Sequence, residues 1–105
     1  MKVTEYVAQA QGQTLFSLEI IPPLKGQSIQ ELLASIEPLM EFKPPFVDVT
    51  YHREEVIEKK HPSGLIEKVP VRRRPGTVGI CARLMERFKV DAVPHVICGG
   101  FTKDE

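Results

Sequence analysis

Apolar and polar positions along the chain change period several times, and each change marks an element. In residues 15–21, LFSLEII, the apolar Phe16, Leu18 and Ile20 alternate with Ser17, Glu19 and Ile21. That period of two predicts a strand with one face toward a core. Pro22 and Pro23 end it, because neither can donate to a ladder. The period then lengthens: Ile29, Leu32, Leu33, Ile36, Leu39 and Met40 recur at helical spacing. Ser28 and Glu31 have the spacing of a capping box before this helix. Pro38 predicts a kink or a final turn, and Pro44-Pro45 a loop.

A second strand is expected over 46–51, with Val47, Val49 and Tyr51 on one face and Phe46, Asp48 and Thr50 on the other. Residues 52–75 are charged and lack a long apolar period, so they read as a long loop. Loops of that length are uncommon unless functional or disordered. After Pro75-Gly76, Thr77 is expected to cap a second helix whose buried stripe is Val78, Cys81, Ala82, Met85 and Phe88. A third strand is expected over 92–98, with Val93, His95 and Ile97 on one face. Gly99-Gly100 reads as a turn and 101–105 as the start of another helix; residues 1–13 read as a loose arm or short helix.

The order β-α-β-α-β implies an α/β fold with parallel strands joined by helical crossovers. Length allows one small domain, here 105 residues. At 42% hydrophobic and 27% charged residues, the composition is that of an ordinary globular chain. Lys+Arg and Asp+Glu balance at 14 each, which argues against a nucleic-acid-binding surface. No apolar run reaches membrane-spanning length, and no signal-peptide core precedes residue 14, so a cytoplasmic location is expected. Cys81 and Cys98 form no metal-binding cluster and are expected to be reduced, mostly buried thiols.

Each predicted strand carries a polar side chain near its carboxyl end: Glu19, then Asp48 and Thr50, then His95. Taken singly, each has an ordinary explanation: a solvated glutamate, a structural aspartate, a common strand threonine, a hydrogen-bonded histidine. Three polar strand ends in register are harder to explain that way. If their shared face is the interior of a barrel, they converge at its carboxyl mouth, where (β/α)8 active sites lie. The Arg72-Arg73-Arg74 run could attract phosphate or form a solvated surface, and the zero net charge favours the latter. No dinucleotide fingerprint, P-loop, nucleophile elbow or zinc motif is present.

FSLEIIPPLKG, FVDVTYHRE, RRRPGTVGICA and VPHVICGG, in this order and spacing, resemble the amino-terminal part of the methylenetetrahydrofolate reductase family. The resemblance covers nearly all of the chain from Thr14 onward. It implies a (β/α)8 TIM barrel carrying FAD, with NADH or NADPH reducing 5,10-methylenetetrahydrofolate to 5-methyltetrahydrofolate for methionine synthesis. By the same resemblance Glu19 is the catalytic acid, and Thr50, Tyr51 and His95 are flavin contacts. Opening the methylene bridge toward an iminium ion needs a proton on the departing nitrogen, which a carboxylic acid can supply. His52 and Arg53 stand where many members have small residues, so no role is carried to them.

A complete barrel takes roughly 250 residues, so the resemblance implies a piece with three of eight strands, inactive alone and prone to self-association. The alternative is a non-catalytic βαβαβ interaction module that pairs its open edges with another copy.

Overall fold

The computed structural model describes residues 1–99 and 102–104. The expected helix start at 101–105 depends on residues outside that set. Among the described residues nine elements follow one another: helix α1 (Val3–Gln9), strand β1 (Leu18–Ile20), helix α2 (Ile29–Ile36), a 3-10 helix (Glu37–Phe42), β2 (Phe46–Val49), β3 (Glu55–Lys60), β4 (Ile66–Val71), helix α3 (Thr77–Phe88) and β5 (Asp91–Pro94). Strands β1, β2 and β5 form a parallel sheet in that order, with β2 at its centre. The three strands and two helices expected from periodicity are therefore present, although each strand is shorter than expected. No helix among the described residues is long and apolar enough to cross a membrane.

The period of two decides which side of β2 is inside. Val47 and Val49 are fully buried, with Ile20 beside them on β1. They pack with Leu33 and Ile36 of α2 and with Ile80, Cys81 and Leu84 of α3. The helices thus cover one face of the sheet. Ser28 caps α2 as expected, its hydroxyl accepting from the Gln30 amide at 3.1 Å. Pro38 falls in the first turn of the 3-10 helix, where its missing N–H costs least. Lys43 then reverses the chain in the left-handed conformation, at φ 49°.

The stripe on α3 is rotated from the expected one. Thr77, Ile80, Cys81 and Leu84 face the core, whereas Val78, Ala82 and Met85 are exposed. The apolar residues of this helix span more than one face, and the sheet selects Ile80 and Leu84. Gly76, not Thr77, is the N-cap. Cys98 is exposed and only Cys81 is buried. Burial, with a smaller contribution from the charge of Asp48, raises the Cys81 thiol above its usual value and favours its protonated form.

The segment 52–75 is not a loop throughout. β3 and β4 form an antiparallel hairpin with Glu55 opposite Val71 and Lys60 opposite Ile66. Its apolar positions are interrupted by Glu58, Lys59, Lys60, Glu67 and Lys68, which hid the alternation in the sequence. The turn His61-Pro62-Ser63-Gly64 closes with Gly64 N–H donating to His61 C=O at 2.9 Å, and Gly64 takes φ 84°. Both features suit a type I turn followed by a glycine bulge. Among the described residues the hairpin pairs with no other strand. The radius of gyration is 18.0 Å with a longest dimension of 64 Å. A compact chain of this length has about 13 Å, so the hairpin stands out from the body.

At the other end, α1 docks through Tyr6. Its hydroxyl donates to Asp91 Oδ2 at 2.6 Å, and the amino terminus reaches the same oxygen at 2.6 Å. These two hydrogen bonds, the amino terminus first, hold the Asp91 carboxyl below the usual carboxylate range. A carboxyl with a lowered folded-state pKa stabilises the fold above its unfolded value, and that contribution is lost as pH falls through the folded value. The α1 contact should therefore loosen in acid, seen as a pH-dependent shift of the Tyr6 ring resonances that Asp91→Asn removes. Unchanged Tyr6 resonances down to acid unfolding would overturn the linkage.

The rotated stripe gives a second prediction. Leu84→Ala should cost about 2–5 kcal/mol, whereas Val78→Ala should stay within about 0.5 kcal/mol, both read from urea midpoints. Equal costs would contradict the phase of α3.

Candidate active site at the carboxyl ends of the strands

The sheet face opposite the helices carries Glu19 and Asp48, which are partners in the β1–β2 register. Thr50 and His95 lie just past the ends of their strands, yet the ladder reaches them. Thr50 N–H donates to Ile20 C=O at 2.9 Å and His95 N–H to Val49 C=O at 3.0 Å. Backbone pairing thus sets the height of both side chains. The Thr50 hydroxyl then donates to Glu19 Oε1 at 2.7 Å. On the next pair, His95 Nε2 lies 3.8 Å from Asp48 Oδ1, an ion-pair distance if the ring is protonated and too long for a hydrogen bond. Asp48 Oδ2 accepts from the Ser17 hydroxyl at 2.9 Å.

Glu19, Thr50 and His95 therefore come together, as expected, on one face at the carboxyl ends of three adjacent strands. Glu19 is exposed there, while Thr50, Asp48 and His95 are half-buried. Within the run 15–21, Ile20 enters the core while Glu19 faces the open side. Tyr51 has the opposite parity. It lines a cavity of 430 Å³ with Arg53, Glu54, Val56, Arg72, Ile97 and Gly99, at the base of the hairpin.

Further residues support the site. Ser17 shares the parity of Glu19, so its place beside Asp48 was implicit in the alternation. Thr77 is only 2% exposed, and its hydroxyl donates to the His95 carbonyl at 2.8 Å. This contact joins the start of α3 to the end of β5, across a sequence distance that spacing cannot reveal. Arg74 donates to the Pro22 carbonyl, and Lys25 N–H to the Arg73 carbonyl at 2.8 Å. Arg72 pairs with Glu54 at 3.5 Å and Arg73 with Glu55 at 3.0 Å. The arginine run thus ties the hairpin base to the loop after β1. No group of three potential ligands able to hold a metal ion occurs among the described residues.

Comparison with known proteins gives the family of the chain. The family model described as methylenetetrahydrofolate reductase matches residues 3–105. The 5,10-methylenetetrahydrofolate reductases of Salmonella typhimurium and Escherichia coli K12 are each 32% identical over 103 residues, covering 98% of this chain and 29% of theirs. That of Pectobacterium carotovorum is 30% identical over 96 residues, covering 91% of this chain and 27% of its own. No solved structure matches significantly. The chain belongs to the methylenetetrahydrofolate reductase family, and it spans less than a third of the length of these curated relatives.

An exposed carboxylate and a buried anchor should respond differently to substitution. Glu19→Gln should change unfolding free energy by less than about 0.5 kcal/mol. Thr77→Val leaves the His95 carbonyl without its partner and should cost about 1–3 kcal/mol. Urea titrations of both variants would reverse this order if Glu19 were a scaffold residue.

Proposed function

We propose that this chain forms the first three strands of a (β/α)8 barrel that reduces 5,10-methylenetetrahydrofolate to 5-methyltetrahydrofolate. FAD would be the cofactor, NADH or NADPH the reductant, and the folate the substrate. The observation that carries the reading is the Glu19–Thr50 hydrogen bond on the open face of the sheet, beside His95. A parallel β-α-β-α-β order with polar groups at the carboxyl ends is what the first part of such a barrel requires.

In this reading Glu19 is the proton donor. Thr50 occupies Oε1, so Oε2 is left to face the folate. The proton passes to the departing nitrogen, whose carbon–nitrogen bond electrons move onto that nitrogen. The methylene carbon then becomes an electrophile that can accept hydride. FAD, when bound, would supply hydride chemistry, with the nicotinamide as its reductant. The half-buried side chains fit a planar cofactor at the strand ends: Thr50 and His95 offer polar contacts, with Tyr51 at the hairpin base beside them. Asp48 lies 3.8 Å from the His95 ring, and the Ser17 hydroxyl donates to Asp48.

The test uses a graft of this chain in place of the matching segment of the Escherichia coli relative. The graft should bind flavin and reduce the folate. Glu19→Gln in it should lower turnover by roughly 10²–10⁴-fold, the usual contribution of a general acid, with flavin retained. A graft that holds flavin and turns over normally with glutamine at position 19 would sink the assignment.

A further inference from the structure

The β3–β4 hairpin plays no part in the proposed chemistry, and a lone two-stranded hairpin is marginal in water. Its two edges differ. His61 N–H donates to Leu65 C=O at 2.9 Å, which fixes the ladder phase. From that pair, the register sends the backbone groups of Glu55, Ile57 and Lys59 toward β4. Those of Val56, Glu58 and Lys60 point outward. On β4 the outward groups belong to Ile66, Lys68 and Pro70. Pro70 has no N–H, so the β4 edge lacks one of its three donors and is the poorer of the two. The β3 edge has no neighbouring strand among the described residues.

We propose that the β3 edge pairs antiparallel with β3 of a second copy of this chain, joining two hairpins into one four-stranded sheet. The charges along β3 choose that occupant. Outward groups must meet outward groups, so only every second register is possible. In one of them Ile57 lies opposite its own counterpart on the two-fold axis. Glu55 then faces Lys59 of the second copy, Glu54 faces Lys60, and Val56 faces Glu58. Symmetry doubles these into four pairs of opposite charge with no like charges opposed. Sliding one step either way puts Glu58 opposite Glu58, or Glu54 opposite Glu58 and Arg53 opposite Lys59. Opposed like charges destabilise a strand pair. Among the described residues Lys59 and Lys60 form no ion pair. The contact is symmetric and self-complementary, as a two-fold dimer interface must be.

The register predicts a cross-link. Across a non-hydrogen-bonded pair the Cα atoms are about 4.5 Å apart, within the span of a disulfide. In a Cys98→Ser background, Ile57→Cys should oxidise to a dimer, doubling the 11.8 kDa mass. Val56→Cys should stay monomeric under the same conditions, and Lys59→Glu with Lys60→Glu should abolish the Ile57→Cys dimer. If the cysteine variants fold poorly, hydrogen exchange on the unmodified chain decides. The outward amides of Val56, Glu58 and Lys60 should become protected as concentration rises. Rates at these amides that ignore concentration, or cross-linking through position 56 in preference to 57, would overturn the proposal.

Discussion

Everything in this structure hangs on the alternation of side chains along β2. The strand is central, parallel to both neighbours and four residues long. Val47 and Val49 go inward, so Asp48 must go outward, with Thr50 following. A slip of one residue would bury the aspartate and expose both valines, which burial energetics forbid. The hydrophobic core therefore fixes the position of the polar groups. The neighbours inherit the constraint: Glu19 is level with Asp48, and Thr50 and His95 are set by hydrogen bonds to the last carbonyls of β1 and β2.

Much of this was legible because strand periodicity is rigid. The faces of β1 and β2 followed from counting by twos, and with them the convergence of Glu19, Thr50 and His95. A helix is less informative at the same length. On α3 the apolar residues Val78, Ile80, Cys81, Leu84, Met85 and Phe88 admit more than one stripe, and only packing against Val47 and Val49 selects among them. The β3–β4 hairpin was missed because both strands are mostly solvated. Exposed strands need no apolar alternation, and charged residues supply half of theirs. Long-range anchors such as Thr77 to His95 leave no signal in spacing, since they depend on how two elements dock.

The arginine run shows how local charge can mislead. Three consecutive arginines suggest an anion site, yet each has a partner at the foot of the hairpin: Glu54, Glu55 and the Pro22 carbonyl. Consecutive residues of an extended chain point different ways, so one run reaches both the hairpin and the loop after β1. That loop begins two residues beyond the strand carrying Glu19. The foot of the hairpin and the carboxylate are therefore held in one frame.

Pro70 carries a consequence for the fate of the chain in a crowded solution. A sheet with two live edges is a template that each addition renews, and growth of that kind ends in fibres. Here the ring nitrogen of Pro70 removes one of the three outward donors of β4, while β3 keeps all of its own. Once the β3 edge is satisfied, what remains at both flanks of the hairpin sheet is the poorer edge. A single imino acid thus weighs against further growth.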